Sequence, residues 1–340
     1  MKKTLITGIS GQDAAYLAKI LLEDNHKVVG GLRRGAERSL WRLNHLNICD
    51  DVEIIDFELT ELSEIHQTLR QYNFDYVYNL AAMSFVGSSF NQPISTANTN
   101  YLGALNILES IRMNEHDTKF YQASTSEMFG KVTEMPQKES TPFYPRSPYG
   151  VSKLAAHEAT KNYRESYGMH ACSGILFNHE SPLRGKEFVT QKIILGLNSI
   201  SNGRSSILKL GNLEAKRDWG HASDYVEAMK LILENDVPQD YVVASGVLKS
   251  VREFVEIAST YFGFKIEWEG SGVNEVGIDS NSGKKIIEVS KEFFRPAEVD
   301  ILLGDPSKIE NELKWKRKFT FEGLVEDMCQ NANNFGSVNS

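Results

Sequence analysis

The chain is 340 residues long, beyond the roughly 250–300 residues at which one hydrophobic core stops growing, so two closely joined domains are expected. Its 41% hydrophobic and 24% charged residues exclude a disordered, collagen-like or disulfide-scaffold chain, and a net charge of −8 offers no global field for nucleic acid or an anionic membrane. Three cysteines, Cys49, Cys172 and Cys329, stand far apart without CxxC spacing, no apolar stretch reaches 18 residues, and the apolar run Leu5-Ile6 that ends in a glycine turn is too short for the core of a signal segment. The expectation is a cytoplasmic protein with a small-molecule partner, no metal, no nucleic acid and no membrane.

From Lys3 to about Asn178, short β-branched runs alternate with helical stretches, the pattern of βαβ units on a parallel sheet. The first strand is predicted at Thr4–Thr7. It runs into Gly8-Ile9-Ser10-Gly11-Gln12-Asp13 and a helix over Asp13–Glu23. Gly8 permits a sharp turn and Gly11 lets a pyrophosphate approach the backbone at a helix N-terminus, so Gly8, Ser10, Gly11, Gln12 and Asp13 form a candidate dinucleotide cradle. The usual third glycine is Ala14. The second strand, Lys27–Leu32, ends in Arg33 and Arg34, where an NAD enzyme places an acid for the ribose 2′-hydroxyl. Two guanidiniums suit a 2′-phosphate, so NADP is the expected cofactor.

Further strands are predicted at Glu53–Phe57, Tyr76–Ala81, Lys119–Ser124 and Ala171–Phe177, with helices at Leu62–Gln71, Thr96–Met113 and Tyr149–Tyr167. The fifth strand delivers Thr125 and Glu127 to the carboxyl edge of the sheet, where a doubly wound fold binds ligand. A rigid loop, Thr141–Pro148, then leads to Tyr149, with Lys153 four residues on and on the same helical face. That spacing lets the ammonium lower the phenol's pKa and hold a nicotinamide ribose, while Thr125 hydrogen-bonds the hydroxyl that Tyr149 deprotonates. A second pair at the same spacing, Tyr261 and Lys265, lacks every other feature of the site.

Beyond Asn178 the pattern becomes α+β: a loop at 179–186, helices at Phe188–Ser201 and Asp224–Glu234, a strand at Tyr241–Ala244, and a glycine- and serine-rich stretch, Gly270–Gly283, expected to be mobile. The predicted class is α/β, a Rossmann-type doubly wound parallel sheet with a smaller α+β substrate-binding domain. Residues 1–178 and about 211–246 would form the nucleotide domain, and about 179–210 and 247–335 the other.

Taken together, the segments FYQASTSE (120–127), TPFYPRSPYG (141–150), GILFNHESPLRG (174–185), AKRDWGH (215–221), DYVEAM (224–229) and FRPAEVD (294–300) closely resemble the extended short-chain dehydrogenase/reductase family, and within it the dehydratases of GDP-linked sugars. The resemblance covers nearly the whole chain. It implies Thr125, Tyr149 and Lys153 as catalytic triad, Glu127 as acid/base carboxylate, and Ser84, Asn178, Arg184, Lys192, Arg217, Arg295 and Glu298 in a GDP-sugar pocket. It also implies 4,6-dehydration of GDP-mannose with the C4 hydrogen carried to C6 through bound NADP. Alternatives are another GDP-linked sugar such as a GDP-heptose, or reduction of a GDP-4-keto-6-deoxy sugar. A homo-oligomer, dimer or tetramer, with the Arg33–Arg34 loop near a subunit boundary, is implied as well. Two further departures stand out. Glu58 replaces the usual Asp near the adenine, and Met83 replaces a usual Gln near the substrate.

Overall fold

The computed structural model describes residues 1–35, 40–114, 117–293 and 301–335. The six predicted strands are present as β1 (Lys3–Thr7), β2 (Lys27–Leu32), β3 (Glu53–Asp56), β4 (Tyr76–Asn79), β5 (Lys119–Thr125) and β6 (Ala171–Leu176). The later strand Asp240–Val243 joins the same parallel sheet beside β6, giving the order Asp240–Val243, β6, β5, β4, β1, β2, β3. The strand order reverses between β1 and β4, and ligands of doubly wound sheets bind at such a switch point, beyond the strands' carboxyl ends.

Both faces of the sheet are covered, which is why its strands read as continuous apolar runs. Leu5, Val29, Val77 and Phe120 turn to one side, packed with Ile65, Leu69, Ile107 and Leu108. Their neighbours Ile6, Val28, Tyr78 and Tyr121 turn to the other, against Leu17, Leu21, Val226, Met229 and Ile232. Full burial of such side chains contributes about 1.5–3 kcal/mol each.

The predicted helix over Thr96–Met113 is broken into three parts: Pro93–Ala97, a π-helical turn at Asn98–Leu102, and Gly103–Asn114. The widened turn carries the buried Asn100, whose side chain accepts from Met83 N at 2.8 Å and donates to Ser152 Oγ at 3.1 Å. Single π-turns inside α-helices occur frequently at functional sites.

The remaining strands make two smaller sheets. In one, Lys216–His221 pairs with Leu248–Ser250, Ile301–Leu302 and the short strand Asn178–Glu180, which replaces part of the loop expected after Asn178. In the other, Ile266–Glu269, Val276–Asp279, Lys284–Val289 and Leu208–Leu210 lie side by side. The stretch Gly270–Gly283 is therefore not a mobile loop but two strand connections and the strand between them. Gly270 (φ +81°) and Gly283 (φ +65°) supply left-handed turn positions, and the Asp279 carboxylate closes the second turn by accepting from the backbone N and Oγ of Ser282, at 3.1 and 2.6 Å. Glycine and serine here serve turn chemistry rather than disorder.

Candidate active site

The glycine turn has no room for side chains. Gly8 sits at φ +69°, and a Cβ there would lie 2.8 Å from Ala81 Cα, so β1 and the end of β4 pass in backbone contact. Gly11 N donates to Gly8 O at 2.9 Å, and Gly11 begins helix Gln12–Glu23 without a side-chain cap. The first amides of that helix are therefore open to an anion, which the helix dipole also favours. A cradle that a Cβ would fill, ending in uncapped amides, fits the pyrophosphate of a nicotinamide dinucleotide.

Ser10 contributes its carbonyl, which accepts from Arg42 NH1 at 2.8 Å. Gln12 and Asp13 turn toward the second half of the chain. Gln12 Nε2 donates to Asp13 Oδ1 (3.0 Å) and His179 O (3.2 Å), and Ser181 Oγ donates to Gln12 Oε1 (2.7 Å). At the end of β2, Arg33 and Arg34 are exposed. Arg34 Nε lies 3.2 Å from Asp56 Oδ2 at the end of β3, so the structure brings a carboxylate to this edge that the local sequence did not. Such an exposed pair is weak. Glu58 accepts from Thr60 N and Thr60 Oγ1 at 3.4 and 3.2 Å.

Thr125, Glu127, Tyr149 and Lys153 converge at the carboxyl edge of β5. Thr125 Oγ1 accepts from Glu127 N at 3.3 Å, capping the turn Ser126–Met128. Helix Pro148–Tyr167 starts with Pro148 at its first position and with Ser147 Oγ accepting from Gly150 N at 3.0 Å. A Cβ on Gly150 would stand 2.8 Å from Glu127 O, so a glycine lets this helix press its first turn onto the Glu127 turn. Burial pushes the Tyr149 phenol up to about 12; a hydrogen bond with Thr125 opposes this and the Glu127 charge adds to it. Burial holds the Lys153 ammonium down at about 8 while its Nζ donates to Ala123 O at 2.8 Å. The expected lowering of Tyr149 by Lys153 does not figure among the influences on the phenol; desolvation outweighs the rest. Tyr261 and Lys265 lie elsewhere, with Tyr261 exposed at the end of helix Val251–Tyr261 beside Glu326.

Of the residues assigned to the sugar nucleotide, Ser84 is exposed and Asn178 is half-buried in the short strand beside Trp219. Arg184 Nε lies 3.0 Å from the buried Glu180 carboxylate, and its guanidinium stacks over Phe188 at 3.6 Å. Lys192 Nζ stands 3.1 Å from the Phe293 ring centre, and partial burial lowers its pKa. The buried Arg217 donates to Lys216 O at 2.7 Å. Arg295 and Glu298 fall outside the described residues.

Two groups escaped sequence reasoning. His179 lies inside a quoted segment, yet only the fold shows its Nε2 at 2.8 Å from Asp13 Oδ2. Arg42 bonds both Leu183 O (2.7 Å) and Ser10 O, tying the glycine turn to the loop that carries Arg184. No local pattern marks either, because their partners lie 166 and 141 residues away.

A seven-stranded doubly wound sheet, a glycine cradle at its switch point and a Tyr–Lys pair at the carboxyl edge of β5 define a Rossmann-type short-chain dehydrogenase/reductase of the extended kind. The fold is similar to that of the dTDP-glucose 4,6-dehydratase of Bacillus anthracis in complex with NAD (TM-score 0.81, 21% identity, 98% of this chain and 97% of that one). It also resembles RMD from Pseudomonas aeruginosa complexed with NADPH (TM-score 0.77, 20% identity, 98% and 100%). Residues 5–328 match the profile of the family described as GDP-mannose 4,6 dehydratase. The chain is 47% identical over 336 residues to the GDP-mannose 4,6-dehydratase of Sinorhizobium fredii, covering 97% of this chain and 96% of the relative. It belongs to the GDP-mannose 4,6-dehydratase family.

Proposed function

We propose that the chain is a hydro-lyase converting GDP-mannose to GDP-4-keto-6-deoxy-mannose, with NADP as resident cofactor. The convergence of Thr125, Glu127, Tyr149 and Lys153 carries this reading. Gly8, Ser10, Gly11, Gln12 and Asp13 would hold the dinucleotide at the glycine turn, Arg33 and Arg34 its 2′-phosphate, Glu58 its adenine end, and Tyr149 and Lys153 its nicotinamide ribose. When bound, NADP supplies a two-electron carrier for the hydrogen that leaves C4 and returns to C6.

Tyr149 takes the proton of the sugar 4-hydroxyl, which Thr125 hydrogen-bonds and holds in place. A phenol raised to about 12 by burial gives up its own proton only where a cation opposes that burial; the Arg184 guanidinium is the cation that does so here, while Lys153, one helical turn on, would hold the nicotinamide ribose. Formation of the 4-ketone acidifies C5. Glu127 removes the C5 proton and delivers it to the 6-hydroxyl, which leaves as water. Ser84, Asn178, Arg184, Lys192, Arg217, Arg295 and Glu298 form the GDP-sugar pocket, with the cations neutralising the diphosphate. A reductase of the 4-keto product has no use for a base at C5, so Glu127 favours the dehydratase.

Residues 1–178 and about 211–246 act as the nucleotide domain, and about 179–210 and 247–335 as the substrate domain. The protein is a cytoplasmic homo-oligomer. Free cysteines and exposed Ile94, Leu102 and Val151 support this reading, and among the described residues no helix is long and apolar enough to cross a membrane.

Running the reaction in heavy water with GDP-mannose labelled at C4 tests the assignment. One solvent deuterium should appear at C5 and the C4 label should be retained at C6, while Glu127→Gln should form no 4-keto-6-deoxy product. Product from Glu127→Gln at close to the wild-type rate, or loss of the C4 label to solvent, overturns it.

A further inference from the structure

The carboxyl ends of β1 and β4 and the middle of β5 carry three polar residues where a doubly covered parallel sheet calls for apolar ones. Thr7, Asn79 and Gln122 are each 1% exposed, and they sit side by side: Thr7 is in register with Asn79, and Asn79 with Gln122. Buried amides are costly unless every partner is present. Here each one is. Leu80 N and Ala81 N donate to Thr7 Oγ1 (3.1 and 3.0 Å), and Thr7 Oγ1 donates to Asn79 Oδ1 (2.8 Å). Asn79 Nδ2 donates to Gln122 Oε1 (2.8 Å), and Gln122 Nε2 to Ala123 O (3.1 Å). That same carbonyl takes the Lys153 ammonium at 2.8 Å.

The direction of this row is determined at its start. Thr7 Oγ1 already accepts two backbone amides, so its single proton points to Asn79. This sets the carbonyl end of Asn79, and hence the orientation of Gln122. Neither amide can flip without leaving two buried groups unpaired. The row begins at the residue before Gly8 and ends on the carbonyl that seats Lys153, so the ammonium's position is set by the sheet edge as well as by its own helix.

We infer that Gln122, held by Asn79, is a positioning residue for Lys153: it fixes the Ala123 carbonyl on which the ammonium rests. This rests on the catalytic reading of Lys153 given above. Other groups act on Lys153 too: Asp13 exerts a favourable charge on it, and Tyr149 lies one turn earlier on the same helix.

Two variants test the assignment. Gln122→Met breaks the row with an apolar side chain of similar length; Gln122→Glu keeps its shape and adds a carboxylate beside the Ala123–Lys153 contact. For Gln122→Met, kcat should fall about tenfold or more, as expected for a displaced catalytic group, with KM for GDP-mannose within about twofold of wild type. For Gln122→Glu, the titration of Lys153 should move up by about one pH unit. It is followed by NMR on protein labelled at lysine Cε, with the Lys153 signal identified by its loss in Lys153→Met. An unmoved Lys153 titration in Gln122→Glu overturns the inference even if Gln122→Met misfolds, and so does unchanged kcat in a folded Gln122→Met. The NMR readout needs no turnover, so failure of the catalytic reading would show separately, as undiminished turnover by Lys153→Met.

Discussion

His179 Nε2 lies 2.8 Å from Asp13 Oδ2 in a part-buried ion pair that joins the first turn of the nucleotide-site helix to the segment following β6. Burial alone would raise the Asp13 carboxyl, but the His179 charge and hydrogen bond outweigh it and hold the group at about 2, while Asp13 raises the His179 imidazole.

The pair makes stability depend on pH at both ends. Asp13 is held below its ordinary 3.8, so its contribution is present above that value and lost as pH falls towards 2. His179 is held above its ordinary 6.5, so its contribution is complete below 6.5 and lost as pH rises through the raised value. Asp13→Asn should therefore cost about 2 kcal/mol near pH 5 and less at both extremes. Melting temperatures of both proteins from pH 3 to 9 check this, and a constant difference across the range would count against it.

Lys153 should be a liability to the fold. Its pKa near 8 is below the ordinary 10.5, so folding carries a penalty that is complete below pH 8, shrinks from 8 to 10.5 and vanishes above. The shift corresponds to about 3 kcal/mol, offset in part by the roughly 1 kcal/mol hydrogen bond to Ala123. Lys153→Met should thus be about 2 kcal/mol more stable than wild type at pH 7 while losing turnover. Denaturant titration at pH 7 and pH 10 measures it, and a variant less stable at pH 7 would refute the burial argument.

Tyr149→Phe should nearly abolish turnover and leave NADP affinity within a few fold. Tyr261→Phe, altering a tyrosine exposed beside Glu326, should leave the rate near wild type. Steady-state rates on GDP-mannose and cofactor titrations separate the two. The opposite pattern would mean that the Tyr–Lys pair has been misassigned.

At the end of β2, Arg33→Ala should weaken NADP by about 10- to 100-fold, the value of one charge-assisted contact, without affecting NAD. Arg34 is shared with Asp56, so Asp56→Asn should leave NADP affinity equal or improved. Calorimetric titration of both cofactors decides the matter; equal affinity of the wild type for NADP and NAD would remove the basis for both expectations.

The sequence by itself determined the parts whose signals are local. Six strands were readable from β-branched runs, with β2 predicted to the residue at Lys27–Leu32, because a strand covered on both faces must be apolar along its length. The glycine turn was equally legible, since only glycine takes φ +69° with a neighbouring backbone in contact. Local signals misled where one composition serves two ends. Turn chemistry in Gly270–Gly283 looked like disorder, and a helical pattern at Thr96–Met113 concealed the π-turn that Asn100 needs.

What the tertiary structure decided were relations between residues far apart in the chain. Arg34 meets Asp56, Asp13 meets His179, and Lys153 rests on Ala123. Thr7, Asn79 and Gln122 look like isolated polar residues in three separate strands; parallel register makes them neighbours. The phenol of Tyr149 was expected low from the nearby lysine and is held high by burial, and burial is a property of the packed protein that spacing along the chain cannot express.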